Sequence, residues 1–186
     1  MHKDMHKAVF LDRDGVINRA FVREGKPYPP AGLAEVEILP GVAEALASLH
    51  DAGFMLIVIT NQPDVARGTT AKAVVESINQ YLAERLPIDE FRTCYHDDQD
   101  GCDCRKPLPG MALAASRDLK LELSGSFMVG DKRADLELAD AIGATGVLVS
   151  SGHGQSAVEW ARSHARPVFG DFKGAAEYIA AQGSEG

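Results

Sequence analysis

Ala8-Val9-Phe10-Leu11-Asp12-Arg13-Asp14-Gly15 starts as an unbroken apolar run and ends in two carboxylates and a glycine. A run without polar alternation suits a strand buried on both faces, the environment of a parallel sheet covered by helices. The same punctuation recurs along the chain. Phe54-Met55-Leu56-Ile57-Val58-Ile59 ends in Thr60-Asn61, and Ser126-Phe127-Met128-Val129 ends in Gly130-Asp131-Lys132. Residues 145–149 read as a further strand, and 91–95 and 167–169 as shorter ones. Helical patterns lie between them. Val42, Leu46 and Leu49 share a stripe that stops at Gly53, and Val74, Ile78, Leu82 and Leu86 repeat every fourth residue until Pro87. Residues 111–121, 136–142 and 174–181 supply the remaining helices. Strand–helix alternation over the whole length predicts an α/β fold built on a doubly wound parallel sheet.

The 186 residues make one domain, 1–186. Nineteen basic residues against 27 acidic ones give a net charge of −8. Binding of long nucleic acid needs many basic residues on phosphates, so this composition excludes nucleic acid as a partner. No apolar stretch is long enough to span a bilayer. The opening Met1-His2-Lys3-Asp4-Met5-His6-Lys7 is too polar for a secretion signal, which points to the cytoplasm. Between Asp14 and Thr60 there is room for a loop and a helix but for no large cap domain. Residues 19–39, with Pro27, Pro29 and Pro30, read as a long loop close to the first strand, and long loops in compact domains are often functional. His6, His50 and His164, together with His2, read as surface residues. Met5, Met55, Met111 and Met128 read as core or strand residues, and Trp160 as helix packing.

Ligands of open α/β sheets bind outside the carboxyl ends of the strands. Asp12, Asp14, Thr60, Asn61 and Asp131 all fall there. Three carboxylates brought to one crevice repel unless a cation joins them, and an all-oxygen donor set favours Mg²⁺. Arg105, Lys106 and Lys132 could then bind a phosphoryl group, helped by Thr60 and amides at a helix N-terminus.

All three cysteines, Cys94, Cys102 and Cys104, lie within eleven residues and beside His96. Clustered thiols in a reducing compartment suggest a metal before a disulfide. Cys94 and His96 project to one side of an extended segment, and Cys102 and Cys104 can do so from the returning arm. Four such donors suit a closed, structural Zn²⁺ site. A calcium loop fits poorly: aligning Gly101 with the required glycine puts His96 in the first ligand position and Pro107 in the last.

The motifs resemble those of the haloacid dehalogenase-like (HAD) phosphatases. Phe10-Leu11-Asp12-Arg13-Asp14-Gly15-Val16-Ile17-Asn18 is similar to their first motif, Ile59-Thr60-Asn61-Gln62 to the second, Lys106 to the third and Gly130-Asp131-Lys132-x-x-Asp135 to the fourth. Cys102-Asp103-Cys104-Arg105-Lys106-Pro107-x-Pro109-Gly110-Met111 narrows the resemblance to the branch holding heptose 1,7-bisphosphate phosphatases and histidinol-phosphatases. The resemblance implies a HAD-like Rossmannoid fold with no large cap and a small zinc-bound loop. It implies Asp12 as the nucleophile that forms an aspartyl-phosphate. Asp14 would be the acid that protonates the leaving oxygen and the base that activates water. Mg²⁺ would be held by Asp12, the Asp14 backbone carbonyl and Asp131. Thr60, the Asn61 backbone and Lys106 would hold the phosphoryl oxygens, Arg105 and Lys132 would assist, and Asp135 would orient its neighbours. The expected partner is a small phosphorylated sugar, foremost a heptose 1,7-bisphosphate losing its 7-phosphate, handled by a monomer.

Two departures from the heptose branch bear on substrate. Its usual Thr-Asn-Gln-Ser-Gly-Ile-Ala-Arg-Gly is Thr60-Asn61-Gln62-Pro63-Asp64-Val65-Ala66-Arg67-Gly68 here, and the segment between His96 and Cys102 is shorter and acidic. Histidinol phosphate or another small phosphomonoester is the alternative substrate within the enzyme class. Outside it stands a non-catalytic nucleotide-binding module, suggested by Gly152-His153-Gly154-Gln155-Ser156-Ala157 after a strand. A cysteine phosphatase fits less well still, because no His-Cys-x5-Arg occurs.

Overall fold

The computed structural model describes residues 5–183, so His2 lies outside the described residues. Its strands are β1 (Ala8–Leu11), β2 (Phe21–Arg23), β3 (Lys26–Tyr28), β4 (Met55–Asn61), β5 (Glu90–Cys94), β6 (Phe127–Gly130), β7 (Thr145–Val149) and β8 (Val168–Phe169). Its α-helices are α1 (Val42–Asp51), α2 (Lys72–Ala83), α3 (Gly110–Leu119), α4 (Arg133–Ile142), α5 (Val158–Ser163) and α6 (Phe172–Gly183). Six strands form one parallel sheet in the order β5-β4-β1-β6-β7-β8. The chain builds outward from β1 to β4 and β5, then returns to the other side of β1 with β6. The order therefore reverses beside β1, and the crevice at the carboxyl ends of β1 and β6 is where such sheets bind ligands.

Apolar residues on both faces explain the unbroken hydrophobic runs. Val9, Leu11, Leu56, Val58 and Val129 face Leu46 and Leu49 of α1, Ile78 and Leu82 of α2 and Ile179 of α6. Ala8, Phe10, Ile57, Ile59 and Met128 face the opposite layer, made by Met111, Ala112 and Ala115 of α3 and Leu138 and Ala139 of α4. Alternate residues of one strand thus serve two layers. Met55 is half-buried and Met111 and Met128 are buried. Met5 departs from the sequence expectation: it is 56% exposed, because it precedes β1 and has no layer to pack into. His6, His50 and His164 are exposed, and the Trp160 ring stacks on the His164 ring at 4.1 Å. Among the described residues no helix is long and apolar enough to cross a membrane.

The segment read as a long loop, residues 19–39, is more ordered than expected. It contains the antiparallel hairpin β2–β3 and a single 3₁₀ turn at Leu33–Glu35. Glu24 and Gly25 both have positive φ, 50° and 73°, which is what a two-residue hairpin turn requires. The prolines masked that signal, since Pro27 sits inside β3 of this two-stranded sheet.

Candidate active site

Residue Asp12 directly follows β1, and Asp131 directly follows β6. Leu11 pairs with Val129 in the ladder, and the Asp12 amide donates to the Val129 carbonyl at 3.0 Å. The two carboxylates are therefore brought together by strand register. Gly15 closes the turn after Asp14 with φ +92°, and a Cβ there would strike the Asp131 carboxylate. A Cβ at Gly130 would likewise strike the Asp135 carboxyl. Both glycines make room for acids, not for backbone freedom alone.

Ligand oxygens of Asp12, Asp131 and Asp135 lie within 4.8 Å of one another, all three residues buried. Two ammonium groups are threaded among them. Lys106 Nζ donates to Asp12 Oδ1 at 3.0 Å and to Asp135 Oδ1 at 2.7 Å. Lys132 Nζ donates to Asp12 Oδ2 at 3.3 Å and to Asp131 Oδ1 at 2.8 Å. The Asp135 side chain also accepts from the Lys132 amide at 3.1 Å, so it caps the first turn of α4 while holding Lys106. The Asp131 Oδ2 atom is buried and has no hydrogen-bond partner. Burial pushes Asp12 up, but Lys106 and Lys132 outweigh it and hold its carboxyl well below the usual range. Burial pushes the Asp131 carboxyl up to about 8, with Asp12 and Asp135 adding to the push and Lys132 opposing it. A carboxyl in that position binds either a proton or a cation. The orphaned oxygen and the all-oxygen donor set fit Mg²⁺.

Asp14 faces the neighbouring cavity of about 320 Å³, together with Lys26, Tyr28, Asp64, Arg67, Arg105 and Lys132. Its carboxylate accepts from Arg13, Asn18 and Gln62, with Gln62 Nε2 at 2.8 Å. Gln62 also donates to the buried hydroxyl of Thr60 at 3.0 Å. The Asn61 side chain is spent on the backbone: its Oδ1 accepts from the Lys106 amide at 3.0 Å and its Nδ2 donates to the Lys106 carbonyl at 3.1 Å. It thereby fixes the segment that carries Arg105 and Lys106. Arg105 donates to Asp98 Oδ1 at 2.6 Å, and Arg67 makes a two-pronged contact with Asp97. Acidic residues between His96 and Cys102 therefore hold two cations at the cavity wall.

The Cys94, His96, Cys102 and Cys104 donors also meet. Cys94 Sγ lies 3.8 Å from Cys102 Sγ and 3.0 Å from Cys104 Sγ, while His96 Nδ1 lies 3.5 Å from Cys94 Sγ and 3.2 Å from Cys104 Sγ. Sulfurs on a tetrahedral zinc stand about 3.8 Å apart, given Zn–S bonds of about 2.3 Å. Burial, then the neighbouring thiols, push Cys104 far up, whereas backbone amides of Arg105 and Cys104 outweigh burial at Cys102 and bring it down to about 7. The donor set fits a structural zinc, and the Cys94–Cys102 separation matches that spacing while the Cys94–Cys104 separation is shorter.

Sequence reasoning missed Arg13, Asn79 and Gln62 as partners of the site. Arg13 is flanked by two catalytic candidates, and Asn79 sits on a helix with no motif. Only the fold brings them under Asp14. The glycine-rich segment from Gly152 does not open a long helix; Gly154–Ala157 is a 3₁₀ turn before the short α5, and Ser151 hydroxyl reaches the Gly15 carbonyl at 3.5 Å. It supports the first turn of the site instead of cradling a dinucleotide.

Fold and strand-end chemistry define the class: this is a HAD-like hydrolase, and a HAD-hydrolase-like family model matches residues 103–175. The likeness extends well past that segment. The chain is 35% identical over 173 residues to the D-glycero-β-D-manno-heptose-1,7-bisphosphate 7-phosphatase of Pseudomonas putida, covering 89% of this chain and 94% of that protein. It is 36% identical over 173 residues to the enzyme of the same name from Escherichia coli K12, covering 82% and 86%. It superposes with a TM-score of 0.81, at 32% identity and over 95% and 99% of the two chains, on the crystal structure of D,D-heptose 1,7-bisphosphate phosphatase from B. bronchiseptica complexed with magnesium and phosphate. The chain belongs to the family of these phosphatases and is a phosphoric monoester hydrolase.

Proposed function

We propose that this chain is a Mg²⁺-dependent phosphatase that removes the 7-phosphate of D-glycero-D-manno-heptose 1,7-bisphosphate through an aspartyl-phosphate. The observation that carries the reading is the buried meeting of Asp12, Asp131 and Lys106, joined through Lys132 to the wall of the adjoining cavity. Once Asp131 gives up its proton, three carboxylates and two ammoniums leave that cluster one negative charge in excess. A divalent cation reverses the sign and makes room for a phosphate dianion.

Asp12 acts as nucleophile, kept ionised by Lys106 and Lys132. Its carboxylate oxygen bonds to phosphorus as the ester P–O bond breaks, and the electron pair leaves on the ester oxygen. Asp14 gives that oxygen a proton, producing the alcohol. Asp14 then takes a proton from water as the water oxygen attacks phosphorus, which frees inorganic phosphate and restores the Asp12 carboxylate. Lys106, Thr60 and the Asn61 backbone hold the phosphoryl oxygens, with Arg105 and Lys132 on the substrate side. Mg²⁺, held by Asp12, Asp131 and the Asp14 carbonyl, would neutralise the approaching phosphate. Zn²⁺, held by Cys94, His96, Cys102 and Cys104, would be structural. Residues 1–186 then act as one domain and as a monomer.

Phosphate release over a panel tests the substrate. Heptose 1,7-bisphosphate should lose one phosphate, from position 7, faster than any monophosphate tried. A second reading, histidinol phosphate, is favoured by one feature: Asp64 puts a carboxylate on the cavity wall, where it suits a substrate ammonium. Faster turnover of histidinol phosphate than of the bisphosphate would decide for it.

A further inference from the structure

Arg13 is the largest fully buried side chain among the described residues, at 0% exposure. Lying between Asp12 and Asp14, it is carried beneath the crevice. A buried charge without partners costs several kcal/mol, so its contacts are informative. Nε and one terminal nitrogen donate to the two oxygens of Asp14 at 3.2 and 3.3 Å. The other terminal nitrogen donates to Asn79 Oδ1 at 2.8 Å. Asn79, on α2, is itself anchored by its Nδ2 donating to the Thr93 hydroxyl on β5 at 3.1 Å. A polar chain therefore runs from Thr93 through Asn79 and Arg13 to Asp14. A planar two-pronged donor fixes the rotation of a carboxylate as well as its place, which a single ammonium does not. Asn18 and Gln62 contribute one bond each, to different oxygens.

We propose that Arg13 and Asn79 are positioning residues, the buried guanidinium setting the orientation of Asp14 for proton transfer to the departing ester oxygen. The inference rests on the acid–base role given to Asp14 above. Asn79 does not line the cavity, so its effect on the reaction passes through Arg13 and Asp14. An alkyl ester leaves as an alkoxide and needs the Asp14 proton as its P–O bond breaks. p-Nitrophenyl phosphate leaves as a stabilised phenolate and does not. Tilting Asp14 should slow bond cleavage for the first kind of substrate and spare the second. Misplacement by about 1 Å costs on the order of a hundredfold in rate.

The experiment measures first-turnover rates by rapid quench, at saturating Mg²⁺, with p-nitrophenyl phosphate and with a sugar phosphate that the wild-type protein turns over. Asn79→Ala should slow cleavage of the sugar phosphate roughly 10- to 100-fold at unchanged KM, while the p-nitrophenolate burst stays close to wild type. Asn79→Asp, which still accepts from the guanidinium, should restore the sugar-phosphate rate. Arg13→Lys, which keeps the charge and loses the fork, should repeat the Asn79→Ala pattern; if it does not fold, the two Asn79 variants carry the test. Asp14→Asn is the control and should show the same selectivity in extreme form. If Asn79→Ala slows both substrates equally, or neither, while Asp14→Asn is selective, the positioning role is wrong. If Asp14→Asn slows both equally, the acid–base reading itself fails.

Discussion

Replacing Lys106 by Met should damage stability and catalysis by separable routes. The Lys106 side chain is 4% exposed and bridges Asp12 and Asp135, which are 6% and 1% exposed. At an effective dielectric of 20, each contact corresponds to roughly 5–6 kcal/mol of Coulomb energy before desolvation is charged against it. Burial of three ions offsets most of this, so the net worth of the ammonium is smaller. Removing one partner of a buried pair nevertheless costs about 3–5 kcal/mol, because the other charge is left uncompensated. In a chain of this size 1 kcal/mol moves Tm by about 2–4 °C, so Tm should fall by roughly 6–20 °C. Mg²⁺ should recover more of that loss in Lys106→Met than it adds to wild type, since the cation then no longer competes with an ammonium for Asp12. Turnover should fall on the order of 10²–10³-fold, the usual cost of a lost donor to developing charge. Differential scanning calorimetry with and without Mg²⁺, beside kinetics, measures both. A Tm drop under about 3 °C, or equal stabilisation of both proteins by Mg²⁺, would refute the claim that Lys106 holds the carboxylate cluster together.

Asp12→Asn should fold and lose turnover to below about a thousandth of wild type, the amide being no nucleophile; denaturation curves and phosphate release check the two halves. Activity should require Mg²⁺, and Ca²⁺ should inhibit, because its longer and more numerous bonds spoil in-line geometry; rates with chelator, Mg²⁺ and Ca²⁺ decide. Because Asp131 is protonated up to about 8, Mg²⁺ must displace that proton, so affinity should weaken about tenfold per unit as pH falls below 8 and level off above it. Isothermal titration in buffers of different ionisation enthalpy should then show close to one proton released per Mg²⁺ at pH 7. Cys102→Ser should lower zinc content and activity together, leaving Mg²⁺ binding intact, since the cluster fixes the segment that carries Arg105 and Lys106. Full activity in a zinc-free protein would sink that argument.

The chain's fold class was legible because its strands are buried on both faces. Such strands need continuous apolar runs, and a polar residue can follow only where the strand leaves the sheet. Phe10-Leu11-Asp12 and Val129-Gly130-Asp131 therefore announce both a strand and the place of a site. The thiol cluster was legible for a similar reason: its four donors are close in sequence, and a short returning arm is enough to bring them together. The hairpin at Phe21–Arg23 and Lys26–Tyr28 was hidden, because its prolines argue against strands and only an isolated pair of strands tolerates them. The partners of Asp14 were hidden more deeply. Gln62, at β4's end, stood inside a motif but without a role, and Asn79 and Thr93, on α2 and β5, carry nothing in their local sequence that distinguishes them from a helix surface or an edge strand. Parallel pairing of β4 with β1 and with β5, and the packing of α2 on that sheet, turn them inward. The sequence thus determined which acids and bases are present at strand ends, through patterning that acts over a few residues. Tertiary structure alone decided which of them share a hydrogen bond, because that depends on crossovers that join residues dozens of positions apart.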